Sequence, residues 1–301
     1  MPKDDKTYQP KVAGLPVAFD DAAKQLTIQS RLIPKDSVYY EPQGDELGLF
    51  EKAIAEHLSV AMIGPTGSGK SRLLQYMAAK HERPYFYVVG NTKMGVDELI
   101  GTPLTEGDSA VFMPGPLYQA CATGGFIAIE EVLEMHADAR TCLHSLADAR
   151  RSLEVAYVNE LLVPDENFVL TIMFNPGAAY QSVNNLWPKP SFAQRFVFIE
   201  LPYVRGNIGE NILMKESGCD KITAEYLMII ADRIDTAIRD RALTLAESVG
   251  YHALVKTAKL IVAGTNPQKA IHACISRSLS PNNSDVKTID TMASFIKPAS
   301  R

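Results

Sequence analysis

Five short apolar runs alternate with helical stretches in the middle of the chain. The runs cover residues 58–63, 85–89, 126–129, 168–174 and 197–201. Apolar runs that are almost continuous are typical of strands buried on both faces, and parallel strands are usually connected by helices. We therefore predict an α/β fold in which helices cover both faces of a five-stranded parallel sheet.

Beyond about residue 205 the apolar positions recur only with helical spacing. They form two stripes, Leu227, Ile230, Ile234 and Ile238, followed by Leu254, Ala258 and Ile261. Residues 264–267, Gly-Thr-Asn-Pro, indicate a helix end, a cap and a proline at the start of the next helix. We predict an N-terminal arm over 1–40, an α/β domain over 41–205 and a smaller all-α lid domain over 206–301.

Two segments interrupt the regular alternation of the α/β part. Residues 106–116 predict a small β excursion before a helix at Leu117, and residues 151–163 predict a β-hairpin. Insertions of this kind add working surfaces. The first forty residues are polar and contain prolines, so we expect an arm that packs irregularly or pairs with a neighbouring subunit.

A phosphate-binding loop follows the first apolar run. Residues 64–71 read Gly-Pro-Thr-Gly-Ser-Gly-Lys-Ser and fit G-x-x-x-x-G-K-[ST] at every fixed position. Such glycines let the backbone fold around phosphate oxygens at a helix N-terminus. We predict nucleotide contacts from Gly64, Pro65, Thr66, Gly67, Ser68, Gly69, Lys70, Ser71 and Arg72. A glycine-rich turn before a helix is the alternative, which the apolar and helical flanks disfavour.

Two acidic residues end the third apolar run. Hydrolysis beside a phosphate loop needs one acid for the magnesium shell and one carboxylate that polarises the attacking water. We assign Glu130, together with Ser71, to Mg²⁺ and Glu131 to the water. The alternative is that both acids only cap the helix expected near Ala137.

Two more polar residues stand at predicted strand ends. Asn175 follows the fourth run, where its amide can bridge the water and the γ-phosphate, although Asn before Pro176 also suits a simple turn. Arg195 precedes the fifth run and can reach the γ-phosphate of a neighbouring subunit. Such an arginine is worth about 10³ to 10⁵ in rate, or about 4 to 7 kcal/mol. An ordinary surface arginine is the alternative interpretation.

The composition narrows the class of protein. A chain of 301 residues with 46% hydrophobic and 22% charged residues is typical of a globular protein of two domains. A net charge of -5 argues against binding to long nucleic acids and favours a protein partner. The four cysteines are far apart, and no apolar stretch is long enough to span a bilayer. We expect a cytoplasmic protein without a membrane or nucleic-acid partner.

These motifs together resemble those of AAA+ ATPases, and of the MoxR group in particular. Residues 113–117 are similar to the Gly-Pro-Leu segment of that group, and residues 97–101 to its Asp-Glu-Leu-x-Gly motif. Residues 39–50 and 148–151 resemble the CbbQ/NirQ/NorQ subfamily. The resemblance covers about residues 38 to 280.

The resemblance implies a homo-oligomeric ring, usually hexameric, with ATP sites between subunits. It also implies a von Willebrand factor A-type adaptor that chooses the client enzyme. Known members reactivate inhibited Rubisco or help to mature nitric oxide reductase. We expect an ATP-hydrolysing remodelling motor, with Rubisco and an adaptor of the CbbO type favoured and nitric oxide reductase as the alternative client.

The chain departs from the family pattern at two positions. Glu130 stands where an Asp is usual, and its extra methylene displaces the carboxylate by roughly 1.5 Å. His252 stands where a lid arginine usually contacts the nucleotide, and a neutral imidazole does not replace a permanent charge. We assign His252 to the nucleotide contacts, with packing on a helix face as the alternative. Either another basic residue replaces the missing charge, or nucleotide-driven closure of the lid is weaker here. Both departures leave open an alternative function, in which the subunit binds ATP for assembly and hydrolyses it negligibly. A third alternative, a small-molecule kinase, accounts for the motifs in the first half of the chain only.

Overall fold

A parallel sheet of five strands lies at the centre of the α/β part. The computed structural model describes residues 11–12, 15–19, 38–106, 109–175 and 188–295. Its strands are β1 (Lys11–Val12), β2 (Leu15–Phe19), β3 (Ser59–Ile63), β4 (Tyr85–Val89), β5 (Gly101–Glu106), β6 (Ser109–Pro114), β7 (Phe126–Glu130), β8 (Leu153–Val155), β9 (Glu160–Leu162), β10 (Val169–Phe174) and β11 (Phe196–Glu200). The central sheet has the order β11-β3-β10-β7-β4, and all its pairs are parallel. The predicted five-stranded parallel sheet is confirmed.

Twelve α-helices surround or follow the sheet in the described residues. They are α1 (Glu46–Ala55), α2 (Lys70–Lys80), α3 (Val96–Ile100), α4 (Pro116–Thr123), α5 (Ala137–Leu146), α6 (Pro190–Ala193), α7 (Gly206–Ser217), α8 (Lys221–Arg239), α9 (Tyr251–Val262), α10 (Pro267–Ile271), α11 (Arg277–Leu279) and α12 (Asn283–Phe295). None of them combines the length and the apolar composition that crossing a membrane requires.

Both faces of the inner strands β3, β10 and β7 are buried, as the unbroken apolar runs predict, whereas the outer strand β4 exposes Tyr87 and Val89. In β3 every residue is buried, and Val60 and Met62 face one core while Ala61 and Ile63 face the other. Helices α1 and α2 supply the first core, and α3, α4 and α5 supply the second. The α/β sandwich therefore follows from strands that have no polar face to expose to water.

The strand register brings the predicted site residues to one edge. Phe174 of β10 is aligned with Ile63 of β3, and Glu130 of β7 is aligned with Val89 of β4. Because the carboxyl ends of parallel strands share an edge, residues 64–71, Glu130 and Asn175 lie on the same side of the sheet.

The two predicted insertions are β structures. Strands β5 and β6 pair antiparallel, and β8 and β9 form the hairpin with Leu153 opposite Leu162. The first insertion begins at Gly101 rather than at residue 106, because the chain turns there with φ of +131° after α3. The predicted arm contributes β1 and β2, and β2 pairs parallel with β6. The rest of the arm up to residue 37 lies outside the described residues.

The chain after residue 205 is helical, and the predicted apolar stripes are confirmed. Leu227, Ile230 and Ile234 on α8 are fully buried, as is Leu254 on α9. They form a third core that is separate from the two cores of the sheet. The Asn266 side chain accepts hydrogen bonds from the N–H groups of residues 268 and 269, so the predicted cap before Pro267 is also confirmed. The domain boundaries themselves stay a prediction.

Arg205 joins the end of the sheet to the helical part. Its guanidinium donates two hydrogen bonds to Asp235 of α8, at 2.8 and 3.1 Å, and one to the carbonyl of Val249 at 3.1 Å. It also lies over the ring of Tyr203, 4.8 Å from the centroid. A bidentate pair is geometrically specific, so this contact orients α8 and the start of α9 relative to the last strand.

The helical core gives a test with a matched control. Ile230→Ala removes a side chain with no exposed surface, whereas the neighbouring Ile229 is 44% exposed. We expect Ile230→Ala to lower the free energy of unfolding by about 2 to 5 kcal/mol, because it leaves a cavity. Ile229→Ala should cost well under half as much. Urea unfolding followed by circular dichroism measures both, and equal losses would contradict the assigned face of α8.

Candidate active site

The loop between β3 and α2 needs its glycines. Gly67 and Gly69 have φ of +78° and +100°, in the left-handed region that other residues avoid. A Cβ on Gly64 would lie 2.1 Å from the carbonyl oxygen of Leu201, which follows β11. The loop is therefore held close to the sheet, with its N–H groups available at the start of α2.

Two polar groups of the loop point to an anionic ligand. The hydroxyl of Ser68 is fully buried and has no hydrogen-bond partner among the described residues. Lys70 Nζ donates to the carbonyls of Gly64 and Pro65, at 2.6 and 3.1 Å, and to Asn175 Oδ1 at 2.6 Å. Burial lowers the pKa of Lys70, and the charge of Glu131 opposes that shift. A partly buried ammonium in a cradle of this shape fits a polyphosphate.

Glu130 reaches the residue with which it was expected to act. The hydroxyl of Ser71 donates to Glu130 Oε1 at 2.5 Å, so the extra methylene of the glutamate does not prevent the contact. Hydroxyl and carboxylate oxygens are ligands that Mg²⁺ accepts, and it usually takes few of them from the protein. Within the described part of the chain, no cluster of three or more His, Cys, Asp or Glu residues forms a metal site. This pair therefore fits a magnesium ion that is completed by phosphate and water.

Glu131 and Asn175 are joined by a hydrogen bond. Asn175 Nδ2 donates to Glu131 Oε1 at 3.1 Å, while its Oδ1 accepts from Lys70. Glu131 has φ of +48°, which is unusual for a residue with a side chain and places it in the turn before the 3₁₀ turn Val132–Glu134. Burial raises the pKa of Glu131, and Lys70 partly offsets this. The two predicted residues thus share one cluster with the loop lysine.

A larger cavity of about 480 Å³ lies beside the loop. Residues from four segments line it. They include Tyr39, Tyr40, Gln43, Gly69, Arg72, Glu216, Tyr251, His252, Lys256 and Lys259. His252 also lines a smaller cavity of about 180 Å³ that contains Glu130, Glu131 and Asn175. The structure therefore places His252 between the loop and the acidic cluster, with an exposed side chain.

The first turn of α9 packs directly on the phosphate loop. The N–H of Tyr251 donates to the carbonyl of Gly67 at 3.3 Å, and a Cβ on Gly250 would lie 2.4 Å from the carbonyl oxygen of Thr66. A salt bridge of 3.1 Å between Arg72 and Glu216 of α7 adds a second contact. Movement of the loop is therefore mechanically linked to the helical part.

Arg195 lies at the opposite edge of the sheet. It directly precedes β11, whose first residue, Phe196, is aligned with Ser59 at the start of β3. At a rise of about 3.3 Å per residue, Arg195 is about 20 Å along the strand from Leu201, which contacts the loop. Arg195 instead faces Asp148, with 3.7 Å between Nε and Oδ2. It does not join the cluster of its own chain.

Several lining residues had no assigned role in the sequence. Gln43 donates to the carbonyl of Ser68 at 3.1 Å, and Tyr40 donates to Glu46 at 2.8 Å, so the segment before α1 forms one wall of the cavity. Lys256 and Lys259 follow His252 by one and two helical turns. The sequence could have predicted that these two lysines lie on the same helix face as His252, because positions four and seven apart share a face.

Comparisons with known proteins agree with this geometry. Residues 59–196 match the family model of the AAA domain (dynein-related subfamily), and residues 210–297 match that of the CbbQ/NirQ/NorQ C-terminal region. The chain is similar to the denitrification regulatory protein NirQ of Pseudomonas aeruginosa, with 33% identity over 83% of this chain and 94% of that protein. It is 34% identical to protein NorQ of Paracoccus denitrificans, over 84% and 91% of the two chains. Identity to protein CbbQ of Hydrogenophilus thermoluteolus is 32%, over 80% and 88%.

The contact between α9 and the loop can be tested by adding one methyl group. Gly250→Ala places a Cβ against the carbonyl of Thr66, so α9 or the loop must move. Overpacking of this kind costs about 1 to 3 kcal/mol, and we expect ATP affinity to fall by about 5- to 150-fold. Calorimetric titration measures this. Gly44→Ala is the control, because its nearest neighbour is a side-chain atom at 3.5 Å. Wild-type affinity in Gly250→Ala would refute the coupling.

The environment of Glu131 predicts a pH dependence of stability. Its pKa lies above the ordinary value of 4.5 because of burial, so between 4.5 and the raised pKa the folded chain binds more protons than the unfolded chain. The free energy of unfolding attributable to this group must then fall as pH rises through that window. Glu131→Gln removes the effect, so its stability relative to wild type should increase with pH.

Urea unfolding of the nucleotide-free proteins between about pH 4 and pH 8 measures this difference. Glu134→Gln, an exposed glutamate three residues further on, is the matched control for loss of a charge. The prediction is contradicted if the free energy of unfolding of Glu131→Gln, minus that of wild type, decreases as pH rises, because the folded state would then stabilise the ionised carboxylate.

Proposed function

This chain belongs to the CbbQ/NirQ/NorQ family of AAA+ proteins, and from that membership we propose that it is an ATP-hydrolysing motor that remodels a client enzyme. An AAA domain is in general a nucleotide-hydrolysing domain. The observation that carries the proposal is the hydrogen-bonded cluster of Lys70, Ser71, Glu130, Glu131 and Asn175 at one edge of the sheet.

In this proposal the loop binds the triphosphate of ATP. Lys70 turns its ammonium from the loop carbonyls to the β- and γ-phosphates, and the buried hydroxyl of Ser68 gains a partner. Gln43, Tyr40 and the face of α9 enclose the rest of the nucleotide. The glycines at 67 and 69 keep side chains away from the phosphate oxygens.

Glu131 polarises the attacking water and accepts its proton. A raised pKa brings this carboxylate closer to neutral pH, which suits a general base. Asn175 holds the carboxylate and is placed to orient the water against the γ-phosphate. Magnesium, which Ser71 and Glu130 would hold, neutralises phosphate charge in the transition state when it is bound.

Arg195 acts on the ATP of an adjoining copy of the chain. It lies at the edge of the sheet away from its own loop, which supports a role between subunits. We propose a homo-oligomeric ring, with six subunits as the expected number. Hydrolysis then depends on assembly, since the arginine is worth about 4 to 7 kcal/mol of barrier.

The helical part transmits the loop movement that accompanies ATP binding and hydrolysis. Loop movement on binding and hydrolysis displaces α9, which contacts the loop through Gly250 and Tyr251. His252 contacts the nucleotide, and Lys256, four residues further on and lining the same cavity, supplies the permanent charge that an imidazole lacks. The lid therefore closes on ATP without the usual arginine.

The motor works in the cytoplasm with a von Willebrand factor A-type adaptor that chooses the client. The sequence motifs favour Rubisco and an adaptor of the CbbO type. Maturation of nitric oxide reductase is the second candidate. It is favoured by identities of 33% and 34% to NirQ and NorQ, beside 32% to CbbQ. The two candidates can be distinguished by mixing the purified protein with each pair of adaptor and client enzyme. Recovery of the client's activity identifies the correct pair.

A subunit that binds ATP for assembly without hydrolysis is the remaining alternative. Its support comes from Glu130 in place of Asp and from His252 in place of Arg. The 2.5 Å contact between Ser71 and Glu130 weakens that support, because the glutamate still reaches the expected partner. Negligible turnover in the presence of adaptor and client, together with tight ATP-dependent assembly, would select the alternative.

ATPase activity of the purified protein tests the proposed function. We expect specific activity to rise with protein concentration as subunits assemble. Lys70→Ala should abolish ATP binding, and Glu131→Gln should abolish turnover while retaining binding. Arg195→Ala should bind ATP normally but hydrolyse it about 10³- to 10⁵-fold more slowly. Arg233→Ala, an exposed arginine on α8, is the matched control and should resemble wild type. Turnover at the wild-type rate in Glu131→Gln would refute the proposed function.

A further inference from the structure

A second arginine shares the carboxylate that faces Arg195. Arg150 donates to Asp148 from its backbone N–H at 3.0 Å, from Nε at 3.1 Å and from Nη2 at 2.7 Å. Arg195 Nε lies 3.7 Å from Oδ2 of the same carboxylate. Asp148 therefore holds two guanidinium groups from distant segments side by side, one before β8 and one before β11.

The described residues do not fill the hydrogen-bonding capacity of either arginine. Nε of Arg195 is buried but has no hydrogen-bond partner among the described residues, and Nη1 of Arg195 donates to the carbonyl of Ser191. The side chain of Arg150 is 66% exposed although Asp148 fixes its direction. Structural arginines normally satisfy their donors within the fold, as Arg205 does with Asp235 and Val249. The unfilled donors of the two arginines can therefore bind a further ligand.

The pair cannot serve the phosphate loop of its own chain. Asp148 contacts Arg195, which is about 20 Å along β11 from the residue that touches the loop. Any polyphosphate that these guanidinium groups contact must therefore belong to another molecule. A second copy of this chain brings one, because in the proposed function its own loop holds a triphosphate beside Glu130 and Glu131.

The surroundings of the pair have the complementary charge. A groove next to Ser191 and Phe192 is lined by Arg140, His144 and Lys189, and none of the described residues in its lining is acidic. A basic surface attracts the negative charge of a triphosphate bound to the adjoining copy, and charge matching of this kind also selects the partner. The groove and the arginine pair thus form one face for the adjoining subunit.

We propose that Arg150 is a second arginine that acts between subunits, and that Asp148 is the positioning residue that holds Arg150 and Arg195 together for the triphosphate of the adjoining copy. This inference rests on the proposed function. Two guanidinium groups contact more oxygens of the transferring phosphoryl group than one, and they spread the charge that develops there.

A competing anion displaces Asp148 from the two arginines. Protonation of Asp148 does not release them. The hydrogen bonds from Arg150 hold the pKa of the Asp148 carboxyl well below its ordinary value, so it stays ionised throughout the physiological range. Exposed ion pairs are weak, and a triphosphate carries more charge than one carboxylate. The arginines therefore remain aligned until a nucleotide-loaded subunit docks, and they then exchange partners.

Mixed rings test whether Arg150 acts between subunits. We expect Arg150→Gln to assemble and bind ATP as wild type does but to hydrolyse it about 10- to 100-fold more slowly. Glu131→Gln alone should be inactive. An equal mixture should recover activity, because about one interface in four joins an intact site to an intact Arg150. Recovery to several times the mean of the two single proteins supports the proposal.

Controls separate this inference from the proposed function. Mixing Arg195→Ala with Glu131→Gln should also recover activity, whereas Lys70→Ala with Glu131→Gln should not, since both changes damage the same site. If wild type hydrolyses ATP but Arg150→Gln keeps full activity, or its mixture stays at the mean, only the role of Arg150 is refuted. If wild type is inactive with adaptor and client, the proposed function itself fails.

Substitutions of Asp148 test its positioning role separately. Asp148→Asn should lower turnover about tenfold at unchanged ATP affinity, and Asp148→Glu should restore part of the loss because it keeps the charge. A merely structural role would change thermal stability and ATP affinity together. Equal turnover in Asp148→Asn and wild type would overturn the positioning role.

Discussion

The partly buried ammonium of Lys70 connects the phosphate loop to the tip of the neighbouring strand. A charge withdrawn from water must be compensated, and here the compensation comes from two loop carbonyls and from Asn175. Asn175 in turn holds Glu131. The loop, the strand tip and the acidic turn are thus held in one arrangement before any nucleotide arrives, and such preorganisation is what hydrolysis of a phosphoanhydride requires.

The same loop carries the link to the helical part. Gly250 and Tyr251 touch the loop backbone directly, and Arg205 fixes the residues just before them to the end of β11. Close-packed contacts of this kind transmit small displacements because they have no space to absorb them. The close contact therefore provides a route by which a displacement of the loop can be passed to α9.

The sheet separates the two halves of the chemistry. The cluster of Lys70, Glu131 and Asn175 lies at the edge where the strands end, whereas Arg195, Asp148 and Arg150 lie at the edge where they begin. In the proposed function these arginines therefore complete the site of an adjoining copy and not that of their own chain. The proposal accordingly makes the contact between copies part of the catalytic site.

Much of this protein could be predicted from local pattern. The phosphate loop, the five strands, the hairpin at 153–162 and the stripes of α8 and α9 all depend on residues near one another in the chain, where spacing and burial leave a periodic signal. Strand ends were displaced by about one residue, since the last residue of a run can lie outside the ladder, as Leu58 does with 49% exposure. What only the tertiary structure decided are the partners across the chain, namely Ser71 with Glu130, Asn175 with Lys70, β2 with β6, and Asp148 with Arg195. Such pairs form between segments tens of residues apart, and no local periodicity records which of them meet.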